Sequence, residues 1–198
     1  MIEFKNPCRG IPYLYFEDKY NKAKAAGQKN IEAISIASYN NKTREVDSRF
    51  VNLKFIDDKK FIFFSNLKSP KSIAFRSHNQ ISALLYWSSI NVQIRMKAKI
   101  NQTSIEYNRT YFQQRSLDKN ALAISSKQSQ EITSFDDVIQ QYKLAKESKD
   151  LSLCPDYWGG FSFIPYYFEF WEGHESRLNK RIVFNRVNGN WKQYIIEP

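Results

Sequence analysis

The chain has very little of what metal centres and nucleophilic triads are built from. It has two cysteines, Cys8 and Cys154, and two histidines, His78 and His174, in 198 residues. So few ligands so far apart exclude a disulfide framework and a structural zinc site. Neither histidine stands beside a Ser or Cys nucleophile, which leaves triad chemistry unsupported. There is no G-x-x-x-x-G-K or G-x-G-x-x-G phosphate loop. No apolar run approaches the ~18 residues that a membrane helix needs, and the Met1–Pro7 segment lacks the charged-then-apolar pattern of a signal peptide. These features predict a cytoplasmic protein with no membrane partner.

Aromatic residues and positive charge are abundant. There are 15 Phe, 12 Tyr and 4 Trp, and the formal net charge is +10. Aromatics favour strands and give a chain of this length a substantial core. The positive residues are scattered, with no block of five like charges. That pattern fits small anionic ligands or a solvated surface better than a nucleic-acid interface. The length predicts a single domain spanning residues 1–198.

Periodicity predicts a helix over 11–26 stopped by Gly27, and strands over 31–37, 46–56, 61–65, 81–87 and 91–105. In the last of these Val92, Ile94, Met96, Ala98 and Ile100 alternate with Gln93, Arg95, Lys97 and Lys99. Pro70 opens a short helix. Three helices are expected over 107–115, 120–126 and 135–147, with Ser134 as the N-cap of the third. A loop over 149–160 leads to a strand over 161–171. Asn188-Gly189 marks a hairpin between strands over 181–186 and 191–196. About six or seven antiparallel strands with a helical insert predict an α+β fold, mainly an antiparallel split barrel with flanking helices.

Several short motifs carry candidate binding chemistry. Arg49 and Lys54 bracket one strand. At that spacing they face opposite sides, so both reach one ligand only near a strand end or a bulge. Phe64-Ser65 runs into the Pro70-Lys71 helix start, where free amides, a hydroxyl and a Lys suit a phosphate. Gln93, Gln128 and Ser129 offer amides and hydroxyls for ring edges. Tyr111 and Arg115 are one helical turn apart and share a face. Trp171, Arg177 and Arg181 add a flat wall and two guanidinium forks, the geometry that holds phosphate or carboxylate. With no catalytic constellation, hard chemistry would fall to a bound cofactor.

In order and spacing these motifs resemble the pyridoxamine 5′-phosphate oxidase family, from about Pro7 to Pro198. The most specific are Arg49–Lys54, Asn66–Lys71, Gln128-Ser129, Trp158-Gly159-Gly160-Phe161, Glu169-Phe170-Trp171 and Arg177-Leu178 with Arg181. The resemblance implies a homodimeric FMN-binding split barrel with FMN at the subunit interface. By that resemblance FMN is held by Arg49, Phe50, Val51, Asn52, Leu53 and Lys54, by Phe64, Ser65 and Lys71, and by Gln93, Gln128, Ser129, Trp171 and Arg181. The small phosphorylated aromatic substrate meets Lys54, Tyr111, Arg115, Lys119, Arg177 and Asn179, of which Arg177 and Asn179 are the implied catalytic pair. The implied reaction is oxidation of pyridoxamine or pyridoxine 5′-phosphate to pyridoxal 5′-phosphate, with O2 as acceptor and hydrogen peroxide as product. No metal and no nucleic acid are implied.

The departures from the family pattern cluster on the substrate side. Asn179-Lys180 stands where the pattern has His-Asp, and Lys119 replaces a Ser that touches substrate phosphate. Pro70 replaces an Arg, Phe64 a Tyr, and Asn120-Ala121 a Gln-Gly pair. Asn179 and Lys119 motivate an alternative, an FMN-binding relative that oxidises another aromatic ring, as in phenazine formation. The net charge motivates a third reading, a basic module without catalysis.

Overall fold

The computed structural model describes all 198 residues. Its β-structure is one nine-stranded sheet that closes on itself. The strands are β1 (Glu3–Lys5), β2 (Ala33–Asn40), β3 (Glu45–Asp57), β4 (Lys60–Asn66), β5 (Gln80–Trp87), β6 (Val92–Gln102), β7 (Trp158–Glu172), β8 (Lys180–Val187) and β9 (Asn190–Ile196). Helix α1 spans Ile11–Ala25 and α2 spans Pro70–Ser77. Helices α3 (Ile105–Gln113), α4 (Leu117–Ser125) and α5 (Phe135–Ser148) form an insert between β6 and β7.

Closure follows from two long strands. β3 bonds to β2 through residues 45–52 and to β4 through residues 53–57. β7 bonds to β4 through residues 158–163, to β6 through 161–172 and to β8 through 167–172. The ring β2-β3-β4-β7-β6-β5 therefore closes. β1 joins β3 in parallel, and the β8–β9 hairpin extends from β7. Strands that change partners midway are what split the barrel.

The barrel interior is an apolar cluster read directly from alternation. Ile81, Ala83, Leu85 and Trp87 of β5 enter it, as do Val92, Ile94, Met96, Ala98 and Ile100 of β6. α1 packs against three strands. Its Phe16 ring meets Phe61 and Trp87, and its Tyr13 ring meets Phe168. Burying a ring such as Phe16 stabilises the fold by roughly 1.5–3 kcal/mol. No helix is long and apolar enough to cross a membrane.

The structure corrects several expected boundaries. The strand expected over 91–105 stops at Gln102, because the Ser104 hydroxyl accepts from the Tyr107 amide and caps α3. α3 ends at Gln113, so Arg115 lies just beyond it. Trp158, Gly159 and Gly160, expected in a loop, already belong to β7. They pair with Asn66, Ser65 and Phe64. A Cβ on Gly160 would lie 2.5 Å from Thr103 Oγ1 and 3.0 Å from Phe64, so this strand start needs a residue without a side chain. β1 went unanticipated because its three residues carry no pattern and are held by pairing with β3. The expected caps hold elsewhere. The Ser134 hydroxyl accepts from the Asp137 amide at α5. Gly27 has φ +71° after α1, and Asn188 and Gly189 have φ 49° and 84° in the β8–β9 turn, as a two-residue hairpin turn requires.

Candidate functional site

A cleft of about 1070 Å³ opens where β3 and β4, the start of α2 and the α3–α4 insert converge. Two groups of cations line it, together with an aromatic wall.

The first group is Arg49 with Lys71. Arg49 donates from Nη1 to Ile36 O at 3.1 Å and to Ser38 Oγ at 2.8 Å, and pairs with Asp47. Lys71 is buried in the first turn of α2, where its ammonium donates to Ser69 Oγ at 3.2 Å. Burial, then the charge of Arg49, push the Lys71 pKa down to about 8. Ser69 is the N-cap by position, but no side chain caps the first-turn amides. Its hydroxyl donates instead to Asn66 O at 2.7 Å. A helix start with open amides beside two cations suits an anion. Ser65 and Asn66 close this end. The Ser65 hydroxyl and the Asn66 amide both donate to Gln128 Oε1, at 3.4 and 3.3 Å. Gln128 thus returns from the insert to the end of β4, and Ser129 beside it adopts φ 66°.

The second group is Lys54, Arg115 and Lys119. A register shift between Leu53 and Phe55 places Lys54 in a β-bulge. This satisfies the condition for Arg49 and Lys54 to face one ligand, and both line the cleft. Before the bulge Val51 and Leu53 enter the core; after it Ile56 does. Burial lowers the Lys54 pKa, Lys119 and Arg115 lower it further, and Glu32 opposes them. Arg115 donates from Nη2 to Lys119 O at 3.1 Å, while its buried Nη1 has no partner. Tyr111, Phe64 and Trp158 form an aromatic wall against the second group. Phe64 stacks on Tyr111 at 4.1 Å and on Trp158 at 5.0 Å and 5°, and the Arg115 guanidinium lies 4.6 Å over Trp158. Stacked rings with a guanidinium beside them suit a planar guest.

Most of the residues singled out in the sequence meet in this cleft. Arg49, Phe50, Val51, Asn52, Lys54, Phe64, Ser65, Lys71, Tyr111, Arg115, Lys119, Gln128 and Ser129 all line it. Leu53 does not. Its side chain is fully buried in the core and its amide donates to Glu32 O at 2.9 Å, so only its neighbours face the cleft. Trp158 completes the aromatic wall, and Asp47 and Glu32 temper the two cation groups. None of the three was expected as a site residue. The Trp158-Gly159-Gly160 run was the available signal, once its glycines are read as close strand packing.

Gln93, Trp171, Arg177, Asn179 and Arg181 stand apart and do not line the cleft. Three of them form one row across three strands. Gln93 of β6 pairs with Trp171 of β7, which pairs with Arg181 of β8. Tyr86 of β5 precedes Gln93 in the same row. Arg177, at φ 59°, and Asn179 lie in the loop before β8. Asn179 Oδ1 accepts from the His174 amide at 3.1 Å, which ties that loop together. Gly173 at its start allows close approach, since a Cβ there would lie 2.2 Å from Asn91 Nδ2.

The donor set fits a phosphorylated flavin. Two buried or half-buried cations sit at a helix start with open amides, and a buried guanidinium N–H lacks a partner beside stacked rings. Residues 158–198 match the family model described as the pyridoxine 5′-phosphate oxidase C-terminal dimerisation region. The pyridoxine/pyridoxamine 5′-phosphate oxidase of Alteromonas mediterranea is 32% identical over 191 residues, covering 94% of this chain and 89% of the relative. That of Pseudoalteromonas atlantica is 33% identical with the same coverage. Among solved structures, PhzG from Burkholderia lata in complex with tetrahydrophenazine-1-carboxylic acid superimposes with TM-score 0.87 at 23% identity, covering 94% of this chain and 92% of that one. A pyridoxamine 5′-phosphate oxidase-related, FMN-binding protein from Nostoc punctiforme gives TM-score 0.76 at 13% identity, covering 92% and 97%. The shared fold is the split barrel, and the coverage and identity of the sequence relatives show that this chain belongs to the pyridoxine/pyridoxamine 5′-phosphate oxidase family.

Proposed function

We propose that the chain is an FMN-dependent oxidase that converts pyridoxamine or pyridoxine 5′-phosphate to pyridoxal 5′-phosphate with dioxygen as acceptor, acting as a homodimer of single-domain subunits. The observation that carries this reading is the presence of two cation groups and an aromatic wall in one cleft. One phosphate-bearing ligand needs one such group, and two such ligands need both.

Arg49, Lys71, Ser65, Gln128, Ser129 and the open amides of α2 would hold the FMN phosphate. The β3 edge from Phe50 to Lys54 would follow the ring. Bound FMN would supply the two-electron acceptor that passes reducing equivalents to dioxygen, giving hydrogen peroxide. Lys54, Arg115 and Lys119 would hold the substrate phosphate as three converging charges, which favours a dianion. Tyr111 would orient the pyridine ring. Phe64 and Trp158 exclude water from that side, which strengthens the ionic contacts.

Dimerisation gives the second set of residues a role. Gln93, Trp171 and Arg181 do not line their own chain's cleft, so a partner subunit would bring them to it, together with Arg177 and Asn179. The outward row Phe50–Ser35–Leu84–Arg95 has a small central residue between exposed apolar ones, and Tyr86 is exposed beside it. That composition suits a flat contact between copies. The match of residues 158–198 to a dimerisation region supports the same arrangement.

A second reading rests on Asn179, which cannot carry charge near neutral pH and already uses its oxygen on His174 N. It keeps the flavin and changes the substrate to another aromatic ring, of the phenazine type. One assay separates the two. Purified protein with FMN and pyridoxamine 5′-phosphate in air should consume oxygen and release pyridoxal 5′-phosphate. Absence of turnover at millimolar substrate would reject the vitamin B6 reading.

A further inference from the structure

Glu169 is a buried carboxylate that the proposed reaction does not use. It lies on β7, two residues before Trp171 and on the same outward face, yet is only 2% exposed. Its Oε1 accepts from Arg181 Nε at 3.0 Å and Nη2 at 2.7 Å. Its Oε2 accepts from Tyr167 OH at 2.9 Å and lies 3.5 Å from Arg95 Nη1. Burial pushes this carboxyl up, but the hydrogen bonds from Arg181 and Tyr167 and the charges of Arg95 and Arg181 outweigh it and hold the group below the usual carboxylate range.

Arg181 is thereby held along two edges, because its Nη1 also donates to Glu197 O at 2.9 Å. A guanidinium has five N–H groups in one plane. Three are used here, and the remaining two are left in a fixed direction. One carboxylate against two guanidiniums also leaves the cluster with a net positive charge. We propose that Glu169 is a positioning residue that fixes the Arg181 fork for contact with the flavin. This rests on the reading that Arg181 meets FMN across the subunit interface.

Charge alone and positioning predict opposite effects of Glu169→Gln. Removing a negative charge beside Arg181 should tighten anion binding if the carboxylate only screens. If it positions the fork, affinity should fall, because a neutral amide offers Arg181 a weaker and differently shaped partner. Glu169→Asp keeps the charge but withdraws it by one methylene, so it too should weaken FMN binding, and it serves if the Gln variant folds poorly.

The experiment is a titration of apoprotein with FMN, followed by flavin fluorescence, for wild type, Glu169→Gln, Glu169→Asp, Arg181→Ala and the Glu169→Gln/Arg181→Ala double variant. Melting of each apoprotein serves as the control. The expected result is a rise in Kd of about five- to tenfold for either Glu169 variant, and no further loss when Glu169→Gln is added to Arg181→Ala. Unchanged or tighter FMN binding by Glu169→Gln would overturn the proposal, as would additive losses in the double variant. If Arg181→Ala binds FMN normally while Lys71 variants do not, the placement of Arg181 fails and the flavin reading stands. If wild type binds no FMN, the flavin reading fails and the proposal with it.

Discussion

Lys71 lies beside Arg49 at the head of α2 and forms no salt bridge with any carboxylate. Burial and the neighbouring guanidinium bring its pKa down to about 8, with Asp47 acting weakly the other way. A phosphate bound there favours the ammonium form, so above pH 8 binding must take up a proton. FMN affinity should therefore be flat from about pH 7, where the phosphate is already a dianion, to pH 8 and fall above it, approaching tenfold per pH unit. Riboflavin, which lacks the phosphate, should show no such fall, and Lys71→Met should abolish it for FMN. The folded-state pKa lies below the unfolded one, so the same group destabilises the free fold at low pH and this cost fades as pH rises past 8. Fluorescence titrations at several pH values check this; a pH-independent FMN affinity would count against it.

Lys119 adds a third cation to Lys54 and Arg115 in the second group. Lys119→Ser should raise KM for pyridoxamine 5′-phosphate about tenfold, corresponding to the loss of one charge-assisted contact of ~1.5 kcal/mol, with little change in kcat. Steady-state kinetics of the two proteins test it. An unchanged KM would remove Lys119 from the phosphate site.

The barrel and the first cation group were largely legible in the sequence. Alternation in β5 and β6 is strict because each has one face in the core, and the Asn188-Gly189 turn follows from backbone geometry alone. The requirement for a strand end or a bulge could be derived from the Arg49–Lys54 spacing, and the register shift at Lys54 supplies the bulge. Other features depend on contacts distant in sequence. The return of Gln128 to Ser65 spans 63 residues, and no local pattern encodes it. Trp158 to Gly160 looked like a loop because glycines usually end strands, whereas here they let Asn108 and Thr103 approach β7. The burial of Glu169 was hidden for a similar reason: an outward-facing carboxylate on a strand ordinarily meets water, and only Arg95, Tyr167 and Arg181 together cover it.

The two C-terminal arginines should separate by function. Arg181→Ala should weaken FMN binding by ~1.5–3 kcal/mol, as loss of a charged hydrogen-bonding partner does. Arg177→Ala, in the loop before β8, should leave flavin content intact and raise KM for the substrate. Flavin content after gel filtration and the substrate dependence of turnover are the two readouts. Equal loss of flavin in both variants would contradict the division.

Leu84 is exposed on the outward face of β5, between Ser35 and Arg95. Leu84→Arg should halve the mass measured by sedimentation and remove bound FMN in the same protein, because a second copy would complete the flavin site. A monomer that keeps one FMN per chain would show that the cleft is sufficient alone.

The account as a whole stands on a flavin and a vitamin B6 phosphate meeting in one cleft. The most direct measurement is the visible spectrum of FMN-reconstituted protein mixed with pyridoxamine 5′-phosphate in the absence of oxygen. The account predicts a yellow protein that bleaches on mixing and regains its colour when air is admitted. A protein that takes up FMN but stays yellow at millimolar substrate would contradict the assigned substrate, and one that takes up no FMN would contradict the site itself.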